Sequence, residues 1–170
     1  LIQQTLFPDT CYGVESGGDP KNIPDLTYEQ FLNFHRTYYH PSNSFIYLYG
    51  DMDVTEKLAW MDEAYLGKYE AIGLDSEIKL QKSFEKPIEV THKYSISSTE
   101  SEENNTYLSY NMVVGNAADS QMAMAFEVLD YALLSAPGAP LKQALLDVKA
   151  GKDVYGSYDD GILQPYFTVI

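Results

Sequence analysis

Phe34-His35-Arg36-Thr37-Tyr38-Tyr39-His40-Pro41-Ser42-Asn43, followed by Ser44-Phe45-Ile46-Tyr47-Leu48-Tyr49 and Gly50-Asp51, places a helix end, a turn and an apolar run in one short stretch. Working back from it, Thr27 can cap a helix and Gln30 stands three positions on, the spacing of a capping box. Phe31, Phe34 and Tyr38 then recur at helical spacing, and Pro41 stops the pattern. The apolar run over 44–49 predicts a buried strand, because its aromatic and β-branched residues suit a pleated surface. Upstream, Pro8-Asp9, Ser16-Gly17-Gly18-Asp19-Pro20 and Ile23-Pro24 predict loops over 1–24.

Working forward, Thr55 opens a second predicted helix that runs to about Tyr69. Residues 71–87 have weak periodicity, mixed charge and Pro87, and read as a linker. Alternation of Val90, His92, Tyr94 and Ile96 predicts a half-buried strand over 88–96, and Thr106 to Val114 predicts another. Met122, Ala125, Phe126, Leu129, Leu133 and Leu134 predict an apolar helix capped by Asp119 or Ser120. A short helix from Leu141 to about Lys149 and strands over 154–158 and 165–170, turned at Asp159-Asp160-Gly161, complete the pattern.

Composition bounds the function. The 170 residues carry 25 acidic and 11 basic side chains, a net charge of −14, with Arg36 the only arginine. Nucleic-acid backbones and anionic membranes need clustered cations, so neither is an expected partner. Hydrophobic residues at 45% suffice for a packed core. No apolar run reaches the roughly 18 residues of a membrane helix, and one cysteine, Cys11, excludes an internal disulfide framework. The chain starts at Leu1 and stops at Ile170 within an apolar run, which leads us to expect a piece of a longer protein.

No complete active site emerges. His35, His40 and His92 form neither spacing that sets two imidazoles on one helical face around zinc. They read as a surface residue, a helix-end cap and a strand residue. Cys11 has no local histidine or acid to activate it. Ser16-Gly17-Gly18-Asp19 lacks the preceding strand and following Lys-Ser/Thr of a phosphate loop and reads as a turn. Glu100, Glu102 and Glu103 lack the register of a calcium loop.

Together the motifs carry a family resemblance. Phe34 to Asn43, the apolar run and Gly50-Asp51 resemble the second half of the catalytic-type domain of pitrilysin/insulinase-family zinc metallopeptidases. Leu6-Phe7-Pro8-Asp9, Ser16 to Pro20, Leu129-Asp130-Tyr131, Leu134 to Leu141 and Gly151 to Tyr158 resemble its presequence-protease-like branch. The resemblance covers essentially the whole chain in order. It implies an α+β fold, an antiparallel sheet with helices packed on one face, of the LuxS/processing-peptidase-like kind. It also implies a clam-shaped parent that encloses unfolded peptides and hydrolyses them with zinc held by an inverted His-x-x-Glu-His motif and a distant Glu. That motif is absent from these residues, so no catalytic or metal residue carries over.

The resemblance assigns 1–70 to the C-terminal half of a catalytic-type domain and 88–170 to the N-terminal half of a second, non-catalytic one. The two halves could close into one composite sheet through Phe45–Tyr49. The expected function is a scaffold or chamber-wall segment of a zinc-dependent metalloendopeptidase, inactive alone, with the rest of the parent and peptide substrates as partners. The alternative is a binding or assembly module of an inactive homologue. A third reading, a peptide binder on an exposed sheet, rests on the strand at 88–96. Ser16, Gly17, Gly18 and Asp19 are the residues expected nearest substrate, zinc is expected only in the parent, and the expected compartment is a bacterial cytoplasm, with an organellar matrix as the alternative.

Overall fold

Thr27 begins its helix as the sequence predicts, in a computed structural model that describes residues 1–170. The backbone N–H of Gln30 donates to the Thr27 hydroxyl while the Thr27 N–H donates to Gln30 Oε1, at 3.2 and 2.8 Å. This reciprocal box starts α2, Tyr28–Tyr38. The chain divides into two units, one of Ser16–Glu77 and the other of Leu1–Glu15 with Ile78–Ile170.

The Ser16–Glu77 unit holds α2 and α3, Val54–Ala64, with short 3-10 turns at Ile23–Asp25, Pro41–Asn43 and Leu66–Lys68. The cap of α3 is Asp53, whose Oδ1 accepts from the Glu56 N–H at 3.0 Å, so the helix starts a residue before Thr55. It also ends sooner than expected, with Lys68 Nζ donating to the Ala64 carbonyl just beyond. The strand predicted over 44–49 does not form: Phe45, Tyr47 and Tyr49 are exposed and the segment has no ladder partner. Propensity prepares a strand, but only a neighbouring strand supplies its hydrogen bonds. No residue of this unit is fully buried.

In the other unit the first residues are helical rather than looped, with α1 at Ile2–Leu6. Phe7, fully buried, sets its ring edge-on to Tyr12 and Tyr166 at 5.9 and 6.1 Å. The sheet has three antiparallel strands, β1 Tyr110–Val113, β2 Gly156–Asp159 and β3 Tyr166–Val169, in the order β1-β3-β2. Register pairs Met112 with Phe167 and Tyr158 with Phe167, so one aromatic ring centres the helix-facing layer. The strand expected over 88–96 is absent, with Ile88, Val90 and Tyr94 half exposed, which removes the support for a binder built on that strand.

Helix α4, Ser120–Asp130, is capped by Asp119, which accepts from the Met122 N–H at 3.0 Å. It runs into a π turn at Tyr131–Ser135, closed by the Ala136 N–H on the Tyr131 carbonyl at 2.8 Å. After Pro137-Gly138, α5 follows at Pro140–Asp147. Val114, Leu134, Val154 and Phe167 form the core, with Phe126, Leu141, Leu145 and Leu146 laid over them. The fold is α+β, a small antiparallel sheet with helices packed against it.

Candidate functional site

The turn expected nearest substrate lies at the start of the Ser16–Glu77 unit. Asp19 uses its carboxylate on its own chain: Oδ1 accepts from the Lys21 N–H at 2.9 Å, and its carbonyl accepts from Asn22 and Ile23. Gly18 needs its lack of a side chain, with φ of +81° and Ile23 carbons 3.2 Å from a would-be Cβ. Gly17 has open space around it, and Ser16 and Asp19 are exposed. Of the four adjacent residues, Asp19 is thus bonded into the following turn, and Gly17 is open.

The histidines remain apart. His35 stacks on Tyr39 at 4.6 Å, one helical turn along the α2 face. His40 does cap, but the turn after the helix rather than the helix itself: Nδ1 accepts from the Ser42 N–H at 3.2 Å and the ring sits edge-on to Tyr69. His92 is exposed. Cys11 is a free, exposed thiol in the 3-10 turn Cys11–Gly13. Glu100 Oε2 accepts from the Ser97 N–H at 2.7 Å, tying the acidic loop to itself. No three of the chain's His, Cys, Asp and Glu side chains converge on a point that could hold a metal ion. Zinc, which the family resemblance implies, therefore does not fit the donors present, and no part of a zinc centre is assigned to this chain.

Two features escaped sequence reasoning. One is a clasp in the sheet-bearing unit: Gln81, almost fully buried, accepts from the Asp9 N–H at 2.9 Å and donates from Nε2 to Asp9 Oδ2 at 2.8 Å. Its backbone N–H donates to Gln164 Oε1 at 2.6 Å, and Leu163 N–H donates to the Tyr12 hydroxyl at 3.2 Å. Partners more than 70 positions apart leave no local pattern to read. The other is Asp130, whose Oδ1 is buried without a hydrogen-bond partner where α4 becomes the π turn. Burial pushes its carboxyl up from the usual aspartate value.

The sheet-bearing unit also holds a cavity of about 480 Å³ lined by Leu134 to Ala139, by Lys142, Gln143 and Leu146 of α5, and by Val154 to Gly156 entering β2. Lys142 Nζ reaches Asp153 Oδ1 at 2.9 Å. That hydrogen bond, with one from the Val154 N–H, holds the Asp153 carboxyl below its usual value.

The profile described as "Peptidase M16 inactive domain" matches residues 25–170, and the chain belongs to that peptidase family. It is 48% identical over 169 residues to Protein HypA of Clostridium perfringens (strain 13 / Type A), covering 99% of this chain and 17% of that protein. It is 39% identical over 173 residues to Presequence protease 1, chloroplastic/mitochondrial, of Arabidopsis thaliana, covering 99% and 16%. With the mitochondrial presequence protease of Xenopus laevis it shares 34% over 153 residues, 89% of this chain and 15% of that protein. The chain spans about a sixth of the length of the curated relatives it matches. None of its helices is long and apolar enough to cross a membrane.

Proposed function

We propose that the chain is a non-catalytic scaffold and chamber-wall segment of a zinc-dependent metalloendopeptidase that degrades unstructured peptides. The observation that carries this reading is the match of residues 25–170 to the family's inactive domain. Relatives named as presequence proteases support it. In this reading zinc and its general base belong to the rest of the parent polypeptide, which is also the chain's principal partner. Residues 1–70 and 88–170 are then the end of one domain and the start of the next. The exposed turn Ser16, Gly17, Gly18 and Asp19 is assigned to the substrate side, supported by the open space at Gly17. A net charge of −14 favours basic peptides through long-range attraction. The compartment belongs to the same proposal: a bacterial cytoplasm, by analogy with the bacterial relative.

The test is a fluorogenic unstructured peptide incubated with the zinc-supplemented chain. No chelator-sensitive turnover is expected, and clear turnover would overturn the reading. In the parent gene an intact His-x-x-Glu-His codon run ahead of Leu1 is expected; without one, the assembly-module alternative replaces it.

A further inference from the structure

The turn that joins β2 to β3 carries Asp159, Asp160 and Gly161, the only place in the chain where glycine follows an aspartate. An aspartate carboxyl and the backbone nitrogen of the next residue are one ring closure apart: a bond between them makes a cyclic imide. A side chain on that next residue crowds the nitrogen, and glycine has none. The fold does not ask for glycine at 161. Its φ is not positive, and a Cβ built there would meet only Asp159 Oδ1, at 3.5 Å, an ordinary contact. Gly18 and Gly156, by contrast, are required by backbone angle and by close packing.

Two contacts fix the neighbouring carboxylate. The Tyr166 hydroxyl donates to Asp159 Oδ2 at 2.8 Å, and the Gly161 N–H donates to Asp159 Oδ1 at 3.2 Å. Tyr166 stands opposite Asp159 in the register, so the strand pair holds the acceptor in place. A carboxylate oxygen is therefore set on the proton that the Gly161 nitrogen must lose to act as a nucleophile, the position a general base requires. Asp160 and Gly161 are both exposed, so water reaches the reacting groups. Other aspartates lack this arrangement. Asp119, followed by Ser120, uses its carboxylate to cap α4. Asp75, followed by Ser76, comes after Leu74, so no carboxylate stands where Asp159 stands.

We propose that Asp160-Gly161 is a self-modification site that converts to isoaspartate through a cyclic imide, with Asp159 as the general base. Asp159 Oδ1 takes the Gly161 N–H proton as the nitrogen bonds to Asp160 Cγ. One Asp160 oxygen then leaves as water, carrying that proton back from Asp159 and a second from solvent. Water next adds to the imide. Opening at the bond between the nitrogen and Cγ restores aspartate. Opening between the nitrogen and the main-chain carbonyl carbon leaves the chain running through the side chain. The reaction needs only water and these three residues, and it does not rest on the peptidase reading. The isoaspartate link adds a carbon to the main chain of the turn, and turn geometry sets hairpin register. Asp159 and Tyr166, the pair next to the turn, are where β2 and β3 would first loosen.

The test is peptide mapping of the folded chain after weeks in warm neutral buffer made with heavy-oxygen water. The peptide containing Asp160 should gain isoaspartate that carries heavy oxygen, whereas those containing Asp75 and Asp119 should gain about tenfold less. Asp159→Asn keeps a side-chain oxygen beside Gly161 but removes the base, and should slow the gain about tenfold or more. Gly161→Ala, which fits the turn, should slow it about tenfold by crowding the nitrogen. No isoaspartate at Asp160, or as much at Asp75 and Asp119, would overturn the proposal. An undiminished rate in Asp159→Asn would overturn it as well, since the turn would then react without its base.

Discussion

Tyr166 shows how one side chain can tie pH to folding. Its hydroxyl donates to Asp159 Oδ2 at 2.8 Å across the turn between β2 and β3. Burial, and then that hydrogen bond to a carboxylate, push its pKa from 10.0 up to about 12. A group whose folded pKa is raised contributes stability below its unfolded pKa and loses it as pH rises through the folded one. The stability difference between the chain and its Tyr166→Phe variant should therefore hold steady up to about pH 10 and shrink toward pH 12. Urea midpoints at a series of pH values check this, and a difference that does not change over that window would contradict it. At the same scale, Gly18 owes its identity to a positive φ, whereas Gly156 owes its identity to the close approach of Leu134 and Thr168. The first could be suspected from a turn-rich neighbourhood. The second depends on a strand more than ten positions away.

At the scale of elements, the legible features were those whose partners lie within a turn of chain. The capping box of Thr27 and Gln30 and the Asp119 cap appear as the sequence predicts, whereas of the predicted apolar stripe Met122, Ala125 and Leu129 are exposed and Leu134, beyond α4, is buried. Thr27→Ala should cost about 1 kcal/mol of helix stability, since the Gln30 N–H loses its acceptor. Amide exchange across Tyr28–Tyr38 should then quicken about fivefold while Thr27→Ser stays near the original rate. An unchanged rate would mean that the cap does not limit opening. The strands were less legible. Segments 44–49 and 88–96 have strand composition yet form none, while Gly156–Asp159, with a glycine and an aspartate, forms one. Pairing, not composition, decides a strand, and pairing is nonlocal.

For the whole molecule, the two units differ in what they bury. The sheet-bearing unit encloses Phe7, Leu134, Val154, Pro165 and Phe167. The Ser16–Glu77 unit encloses no residue fully, and leaves Phe31, Phe34, Phe45, Tyr47 and Trp60 exposed. Local opening costs least where few apolar contacts are lost. Limited chymotrypsin digestion should cut first within 16–77, at rates about tenfold or more above cuts in Tyr110–Val169. First cuts inside the sheet would refute that ordering.

The sequence by itself determined the caps of α2 and α4, the acidic character and the family resemblance, because caps, periodicity and charge depend on residues close together in the chain. It also showed that the three histidines lack a zinc-binding spacing. Only the tertiary structure decided which apolar runs became strands, and that Asp9 and Gln164 would share one clasp with the buried Gln81. Each of those depends on residues brought together from distant positions, where the loss of chain entropy is offset by burial and hydrogen bonds that no local pattern encodes.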